Sequence, residues 1–305
     1  MYKWIGPHCQ DRGVPTLALF PSPYYLYKPE EEFVSEPDNL ENEPEYPAAR
    51  KVISEGVHKQ YHPALYTVLP PLAADRPLPK GRRVVGPVFA PDNVTALDQK
   101  EAMRVSGLSS WLSKSETPVI YVSFGSMMRG GRAFEIAHRL LPALMTKDGK
   151  WRVLIAANPE LFEGQCEFQC LRGGVGGNGN ANDFLRIEKW VPQSAVLAHP
   201  NVKAFVSHCG ATSCAEAILS GSPVIGLPFF HDQLFNGPAL VHCGGAVANL
   251  TKSSFTQDEV RSAISEALSD PVQARLKEMS EKLRSQNALF EVVAEAERAI
   301  ASARS

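Results

Sequence analysis

Short apolar segments alternate with helical segments over the second half of this sequence, and this alternation restricts the fold more than any other feature. Residues 118–124 (PVIYVSF) and 202–206 (VKAFV) are nearly continuous apolar runs of strand length. Such runs are typical of strands that are buried on both faces of a parallel sheet. Helical patterns follow these two runs at 132–144 and 212–219. The sequence therefore predicts an α/β protein with a Rossmann-like, doubly wound parallel sheet.

The same alternation continues to the end of the sequence. Further strands are predicted at 151–156, 184–187, 223–227 and 246–250, and further helices at 255–268, 272–284 and 287–304. Thr256, three residues before Glu259, predicts a capping box at the start of one helix. The last predicted helix is amphipathic, with its apolar residues on one side.

The segment after strand 202–206 has the properties of an anion-binding turn. His208, Cys209 and Gly210 lie between the strand and the next helix, where small or polar residues let a backbone approach a ligand closely. The free N–H groups and the dipole of a helix N-terminus favour a phosphate there. Thr212 and Ser213 add hydroxyl donors in the first helical turn. A strand, a tight turn and a helix start in this order predict a phosphate site.

Residues 190–233 resemble the nucleotide-sugar signature of the UDP-glycosyltransferases. The resemblance is carried by Trp190-Val191-Pro192-Gln193, His208-Cys209-Gly210, Glu216 and Asp232-Gln233, with Asn236 three residues further on. Because these positions fall in order over the whole stretch, the match is far more specific than a single glycine-rich motif. Members of this family have two Rossmann-like domains of the GT-B type. The resemblance therefore implies that this chain contains the C-terminal, nucleotide-sugar-binding domain of such a fold.

The family resemblance also implies a role for each residue of the donor site. Trp190 would stack on uracil, while the backbone of Val191 and the side chain of Gln193 would read the edge of the base. The diphosphate would lie against His208, Gly210, Thr212, Ser213 and the Gly125-Ser126 loop that follows strand 118–124. Glu216 would accept from the ribose hydroxyls, and Asp232 and Gln233 would bind the hydroxyls of the sugar.

Each of these residue types also has an ordinary structural interpretation. Trp190 alone would more often be a core tryptophan, and His208 alone a buried histidine whose hydrogen bonds are satisfied. Asp232 and Gln233 could instead form a helix N-cap pair. Plant members of the family usually have Trp-Asn where this chain has Ala211-Thr212, which leaves the identity of the sugar open.

No metal or cofactor is expected beside the UDP-sugar substrate. The sequence contains no Asp-x-Asp, the pattern that would hold a divalent cation at a diphosphate. Cys166 and Cys170 have no second Cys/His pair to complete a zinc site, so all six cysteines are expected to be free thiols. The diphosphate charge would then be met by helix N–H groups and side-chain donors.

Residues 1–85 are predicted to be a remnant of the acceptor-side N-terminal domain with a linker, and residues 86–305 the nucleotide-sugar-binding domain. Short strands are expected at 14–20, 66–69 and 83–85, an acidic loop at 29–47 and a helix at 48–61. In the family, a histidine and the aspartate that orients it deprotonate the acceptor, and both precede these segments. We therefore identify no catalytic residue in this sequence.

Composition excludes several other classes of protein. The 305 residues are 44% hydrophobic and 21% charged, with a net charge of −2, so no nucleic-acid partner or anionic membrane surface is indicated. No apolar run approaches the roughly 18 residues that a membrane span needs. Because the N-terminus lacks the apolar core of a signal peptide, a cytoplasmic location is expected.

The function predicted at this point is inverting, metal-independent transfer of a sugar, of glucose type, from a UDP-sugar to a hydroxyl of a small-molecule acceptor. Two alternatives stay open. The chain could be a donor-binding subunit that completes its site with a separate N-terminal half or partner chain. It could also be a catalytically dead UDP-sugar-binding protein. The residues do not identify the acceptor.

Overall fold

The computed structural model describes the backbone of most of the second half of the chain and of isolated parts of the first. The described residues are 18–20, 64–66, 82–84, 86–87, 92–125, 131–145, 149–158, 161, 183–229, 232–286 and 288–303. Two predicted features, the acidic loop at 29–47 and the helix at 48–61, lie outside them.

Three short strands in the first 84 residues form a small parallel sheet. They are β1 (Ala18–Phe20), β2 (Ala64–Tyr66) and β3 (Arg82–Val84), paired in the order β1-β2-β3. β2 begins two residues before the predicted start at Tyr66, and β3 begins one residue before the predicted start at Arg83. Backbone pairing, which a proline-rich sequence does not reveal, sets these boundaries.

The main sheet contains six parallel strands. They are β4 (Val119–Ser123), β5 (Arg152–Ala156), β6 (Leu185–Glu188), β7 (Val202–Ser207), β8 (Val224–Gly226) and β9 (Ala246–Asn249). Their order in the sheet is β6-β5-β4-β7-β8-β9, and every neighbouring pair is parallel. The predicted Rossmann-like, doubly wound parallel sheet is confirmed.

Nine helices lie in the described part of the chain. They are α1 (Asp92–Val105), α2 (Leu108–Leu112), α3 (Gly131–Leu144), α4 (Gln193–Leu197), α5 (Ala211–Ser220), α6 (Gln233–His242), α7 (Gln257–Ala267), α8 (Asp270–Arg284) and α9 (Ala288–Ala303). Sequence reasoning missed α1, α4 and α6. In α6 the Asn236-Gly237-Pro238 sequence is typical of a turn. In the structure this segment is helical, and Gly237 packs so closely on Asn249 that a Cβ at position 237 would collide with its Oδ1.

Two apolar clusters cover the two faces of the main sheet. Ile120 and Val206 point into one cluster, and Tyr121 and Phe205 point into the other. All four side chains are at most 1% exposed. Successive residues of a central strand therefore point into opposite apolar clusters. For this reason the sequences of the central strands are continuously apolar.

The predicted capping box at Thr256 is confirmed. Thr256 Oγ1 accepts from the Glu259 N–H at 3.2 Å, and Glu259 Oε2 accepts from the Thr256 N–H at 2.7 Å. The predicted terminal helix is α9, and three of its predicted apolar residues, Leu289, Val293 and Ile300, are exposed. None of the helices in the described ranges is both long and apolar enough to cross a membrane.

Candidate functional site

The direction in which strands are added to the main sheet reverses between β4 and β7. The chain continues from β4 to β5 and β6 on one side, and from β7 to β8 and β9 on the other. In parallel sheets of this kind ligands bind beyond the carboxyl ends of the strands at this switch point. Gly125 follows β4 there, and His208 follows β7. The topology thus points to the same position as the sequence motif.

The imidazole of His208 lies between two glycines. A Cβ atom at Gly125 would be 3.0 Å from His208 Nε2, and one at Gly210 would be 2.5 Å from the same atom. Gly125 also has a φ of +67°, which few other residues adopt. His208 therefore contacts Gly125 and Gly210, and all three residues were predicted to lie against the diphosphate. Ser126, which was also predicted to lie near the diphosphate, is outside the described residues.

His208 is a neutral imidazole at neutral pH. Burial lowers its pKa to about 4, and the backbone of Ser123 opposes this shift in part. Nδ1 of the ring is buried and has no hydrogen-bond partner among the described residues. A neutral ring has one N–H donor and one acceptor nitrogen. His208 therefore offers a hydrogen bond at this site and does not bring a positive charge.

Cys209 has a backbone conformation that is uncommon for a residue with a side chain. Its φ is +62°, and it is fully buried. Its backbone makes two hydrogen bonds: its N–H donates to Ser207 Oγ at 3.1 Å, and its carbonyl accepts from Asn236 Nδ2 at 2.9 Å. Its thiol also donates to the Ser207 carbonyl at 3.6 Å. We call residues 207–210 the His208 turn. Sequence reasoning gave Cys209 no role, and the position of Asn236 in the motif was the only signal for this contact.

The His208 turn ends where α5 begins. Gly210 is the N-cap residue, and no side chain caps the helix at this position. Thr212 is exposed, whereas Ser213 is buried. A helix of ten residues has free N–H groups in its first turn and a partial positive charge from its dipole. This helix start can accept an anion beside His208.

A hydrogen-bonded group of side chains joins α4 to α5. Gln193 Nε2 donates to Ser213 Oγ at 3.0 Å and to Glu216 Oε2 at 2.5 Å. Ser194 Oγ donates to Glu216 Oε1 at 2.5 Å, and the Tyr121 hydroxyl donates to Gln193 Oε1 at 3.2 Å. Burial raises the pKa of Tyr121, so this hydroxyl keeps its proton. The structure brings the predicted residues Gln193, Ser213 and Glu216 together and adds Tyr121 and Ser194, which sequence reasoning missed.

Trp190 is on the surface. It follows β6, and 71% of its area is exposed, which excludes the core interpretation of this tryptophan. The next residue, Val191, is only 5% exposed, so mainly its backbone is available to a ligand. An exposed indole next to a buried anchor residue provides a flat apolar surface on which an aromatic ring can stack.

Asp232 and Gln233 lie at the start of α6, after β8. Asp232 occupies the N-cap position, as the alternative interpretation predicted. Its side chain, however, makes no capping hydrogen bond. Asp232 Oδ2 accepts from Asn236 Nδ2 at 3.0 Å. Gln233 is 6% exposed, and its Oε1 accepts from the Phe229 N–H at 2.9 Å. Because Asn236 also contacts Cys209, the start of α6 is linked directly to the His208 turn.

The predicted residues that fall within the described ranges all follow the carboxyl ends of β4, β6, β7 and β8 or lie on α4 and α5. Parallel strands place these ends on one edge of the sheet. Within the described ranges, no group of three or more His, Cys, Asp and Glu side chains is arranged to hold a metal ion. Cys209, Cys214 and Cys243 are free thiols, and the other cysteines lie outside the described residues.

Comparison with known proteins agrees with this geometry. The family model of the UDP-glucoronosyl and UDP-glucosyl transferases matches residues 109–283, more than half of the chain. A gallate 1-beta-glucosyltransferase from Quercus robur is 31% identical over 211 residues, which are 66% of this chain and 39% of that protein. The UDP-glycosyltransferase stmC of Aspergillus ustus is 31% identical over 209 residues, 65% of this chain and 38% of its own length. The matched part of this chain thus spans about two fifths of these curated relatives.

Solved structures share the fold. A UDP-glucose: anthocyanidin 3-O-glucosyltransferase in complex with UDP has a TM-score of 0.68 and 18% identity, with 97% of this chain and 73% of that chain covered. Os79 from O. sativa, in complex with U2F and trichothecene, has a TM-score of 0.67 and 19% identity, with 97% and 75% covered. The chain has the Rossmann-like sheet of the GT-B fold.

Proposed function

Because this chain belongs to the UDP-glucoronosyl and UDP-glucosyl transferase family, we propose that it binds a UDP-sugar and serves the transfer of the sugar to a hydroxyl of a small-molecule acceptor. One observation carries this proposal. The imidazole of His208 is held between Gly125 and Gly210 at the switch point of the sheet, next to the uncapped start of α5. That arrangement offers hydrogen-bond donors to a diphosphate where the fold class binds nucleotides.

The diphosphate is met by hydrogen-bond donors and a helix dipole. The N–H groups of the first turn of α5 and the neutral ring of His208 supply donors, and the hydroxyls of Thr212 and Ser213 add two more. Ser213 Oγ already accepts from Gln193, so its own proton is free to be donated. This set of donors needs no divalent cation, and we propose that transfer is metal-independent.

The nucleoside lies between the exposed Trp190 and the network around Glu216. Uracil stacks on the indole, and the Val191 backbone and Gln193 read the edge of the base. An ionised carboxylate has about four acceptor positions. Gln193 and Ser194 occupy two of those on Glu216 and hold the carboxylate in place. The remaining acceptor positions suit the two adjacent hydroxyls of a ribose.

The sugar lies beside Asp232 and Gln233, and we propose a glucose-type sugar. Transfer with inversion requires the acceptor oxygen to attack the anomeric carbon as the bond to the diphosphate oxygen breaks. The leaving oxygen then carries negative charge, which the His208 turn and the start of α5 stabilise. The acceptor proton passes to a base, and none of the residues in this site is assigned that role.

Isothermal titration calorimetry with UDP tests the donor site directly. We expect UDP to bind equally well in EDTA and in magnesium, and ADP to bind more weakly. His208→Ala is expected to weaken UDP binding by about tenfold or more, because a hydrogen bond to a charged group contributes about 1.5 to 3 kcal/mol. His199→Ala is the matched control, since His199 is half-buried near Asn201 at the other edge of the sheet. Unchanged UDP affinity in His208→Ala would remove His208 from the diphosphate site.

Transfer assays separate the proposed enzyme from its two alternatives. UDP-glucose hydrolysis and transfer to phenolic acceptors are measured with this chain alone and with an added acceptor-domain chain of the same family. Transfer by the chain alone identifies an enzyme with its own base. Transfer only after the addition identifies a donor-binding subunit, and donor binding without transfer in either assay identifies a binding protein.

A further inference from the structure

Asn236 is fully buried in α6, where a polar side chain requires an explanation. It is 0% exposed and lies one helical turn after Asp232. Both protons of its amide are used: Nδ2 donates to the carbonyl of Cys209 at 2.9 Å and to Asp232 Oδ2 at 3.0 Å. Its Oδ1 is buried without a partner among the described residues. A buried acceptor without a partner costs free energy, so the two donated bonds are what this residue contributes.

The two bonds fix the orientation of the amide. Both neighbours of Nδ2 are acceptor oxygens, so a flipped amide would place Oδ1 against two oxygens. These two acceptors belong to different loops. Cys209 is in the His208 turn after β7, and Asp232 follows β8, the neighbouring strand. A single NH₂ group therefore connects the two loops.

The bond to Cys209 also orients the peptide group that precedes α5. In a trans peptide the N–H points opposite to the carbonyl. Because the Cys209 carbonyl points to Asn236, the N–H of Gly210 points away from α6, and no described residue accepts from it. Cys209 has a φ of +62°, which is stable only when its surroundings hold it. Asn236 makes one of the two hydrogen bonds to the Cys209 backbone, and the Ser207 hydroxyl makes the other.

We propose that Asn236 is a positioning residue that couples the sugar-binding side of the donor site, at Asp232, to the diphosphate-binding turn at 207–210. This inference rests on the proposed UDP-sugar site. Asn236 does not touch the donor. It holds the Gly210 N–H in the direction a diphosphate needs, and with the same nitrogen it holds the carboxylate that accepts from the sugar.

A ligand-free measurement tests the first half of this coupling. Amide hydrogen exchange is followed by mass spectrometry on peptides that cover 207–213 in the wild type and in Asn236→Ala. Loss of the bond to Cys209 is expected to speed exchange in this segment by about tenfold. Leu240→Ala is the control, because Leu240 is fully buried in the same helix, packs beside Gly245 and makes no side-chain hydrogen bond to the His208 turn. Equal exchange in the wild type and Asn236→Ala would overturn the proposal.

Binding of two ligands tests the second half. UDP and UDP-glucose are titrated into the wild type, Asp232→Ala, Asn236→Ala and the double variant. Asn236→Ala is expected to weaken UDP binding by about tenfold and UDP-glucose binding by about a hundredfold, because only UDP-glucose uses both loops. When Asp232 is already replaced by Ala, Asn236→Ala should weaken UDP-glucose binding only as much as it weakens UDP binding. Strictly additive losses would show that the two residues act independently.

Conservative variants separate positioning from packing. Asn236→Leu keeps a similar branched shape and removes both donors without adding a charge, so a packing role would be rescued and the proposed role would not. Asn236→Ser is the milder variant for the same titrations if the others fail to fold, and we expect an intermediate loss. A wild type that exchanges slowly at 207–213 but binds no UDP would refute the proposed function. Faster exchange in Asn236→Ala would then still support the link between the loops.

Discussion

The main sheet has an amino edge, where its strands begin, and a carboxyl edge, where they end. The buried polar groups at these two edges differ in whether they have hydrogen-bond partners. At the amino edge the guanidinium of Arg152, 3% exposed, donates to the carbonyls of Trp111 at 2.6 Å, Asp183 at 2.7 Å and Leu112 at 3.4 Å. It also lies 3.9 Å from the centre of the Trp111 ring. Asn201 at the same edge donates to the carbonyls of Leu112 and Ser115. Each of these donors has a protein partner.

At the carboxyl edge several groups lack such partners. Within the described ranges, four buried side-chain polar atoms have no hydrogen bond, and three of them, on His208, Asn236 and Asn249, lie at or next to this edge. Cys209 has a positive φ, and Trp190 is 71% exposed. Unpaired groups and backbone strain cost stability and are typical of functional sites. The difference supports a stabilising role for the amino edge and the donor site that we propose at the carboxyl edge.

The largest effect is expected at the amino edge. Arg152→Ala removes three donated bonds and the contact with Trp111. The Asp183 carbonyl loses its donor, whereas the Leu112 carbonyl keeps Asn201 and the Trp111 carbonyl keeps the N–H of residue 114. Since an unpaired buried acceptor costs about 1 to 3 kcal/mol and truncation of a long buried side chain also leaves a cavity, we expect the free energy of unfolding to fall by roughly 4 kcal/mol. Urea denaturation measures this loss, and UDP affinity should be unchanged wherever the variant is folded. A stable Arg152→Ala that no longer binds UDP would contradict the assignment of the two edges.

An intermediate effect is expected from the pH dependence of His208. The pKa of His208 is lowered to about 4 in the folded protein, against about 6.5 for an unperturbed histidine. Between these values the unfolded chain binds more protons, so the contribution to stability is complete above pH 6.5 and is lost as the pH falls to 4. The contribution at neutral pH is roughly 3 kcal/mol. Urea denaturation from pH 7 to 4 should therefore show a steeper loss for the wild type than for His208→Asn.

The smallest effect is expected at Trp190. Because its indole is largely exposed, Trp190→Ala should leave the free energy of unfolding within about 0.5 kcal/mol of the wild type. UDP binding should weaken by about fivefold, since aromatic stacking contributes on the order of 1 kcal/mol. Trp190→Phe should retain part of this affinity. Calorimetric titration measures both variants, and a large loss of stability in Trp190→Ala would place the indole in the core after all.

Much of the fold could be predicted from local patterns. The central strands β4, β7 and β8 appear in the sequence as apolar runs because both faces of the sheet are buried there, and the Thr256 box appears because capping depends on neighbouring residues. α6 was missed because its Asn-Gly-Pro sequence is typical of a turn. Contact between Gly237 and Asn249, twelve residues away, shows how closely the helix packs on β9. Such a contact has no local signature.

For the candidate site, the sequence by itself determined the residue types and their order from Trp190 to Gln233, and with them the family. The tertiary structure decided which of these side chains meet. It placed His208 against Gly125, a residue 83 positions earlier in the sequence, and it joined Asp232 to the His208 turn through Asn236. These contacts depend on the pairing of β4, β7 and β8, and strand pairing is fixed by burial of the whole sheet and by no single segment.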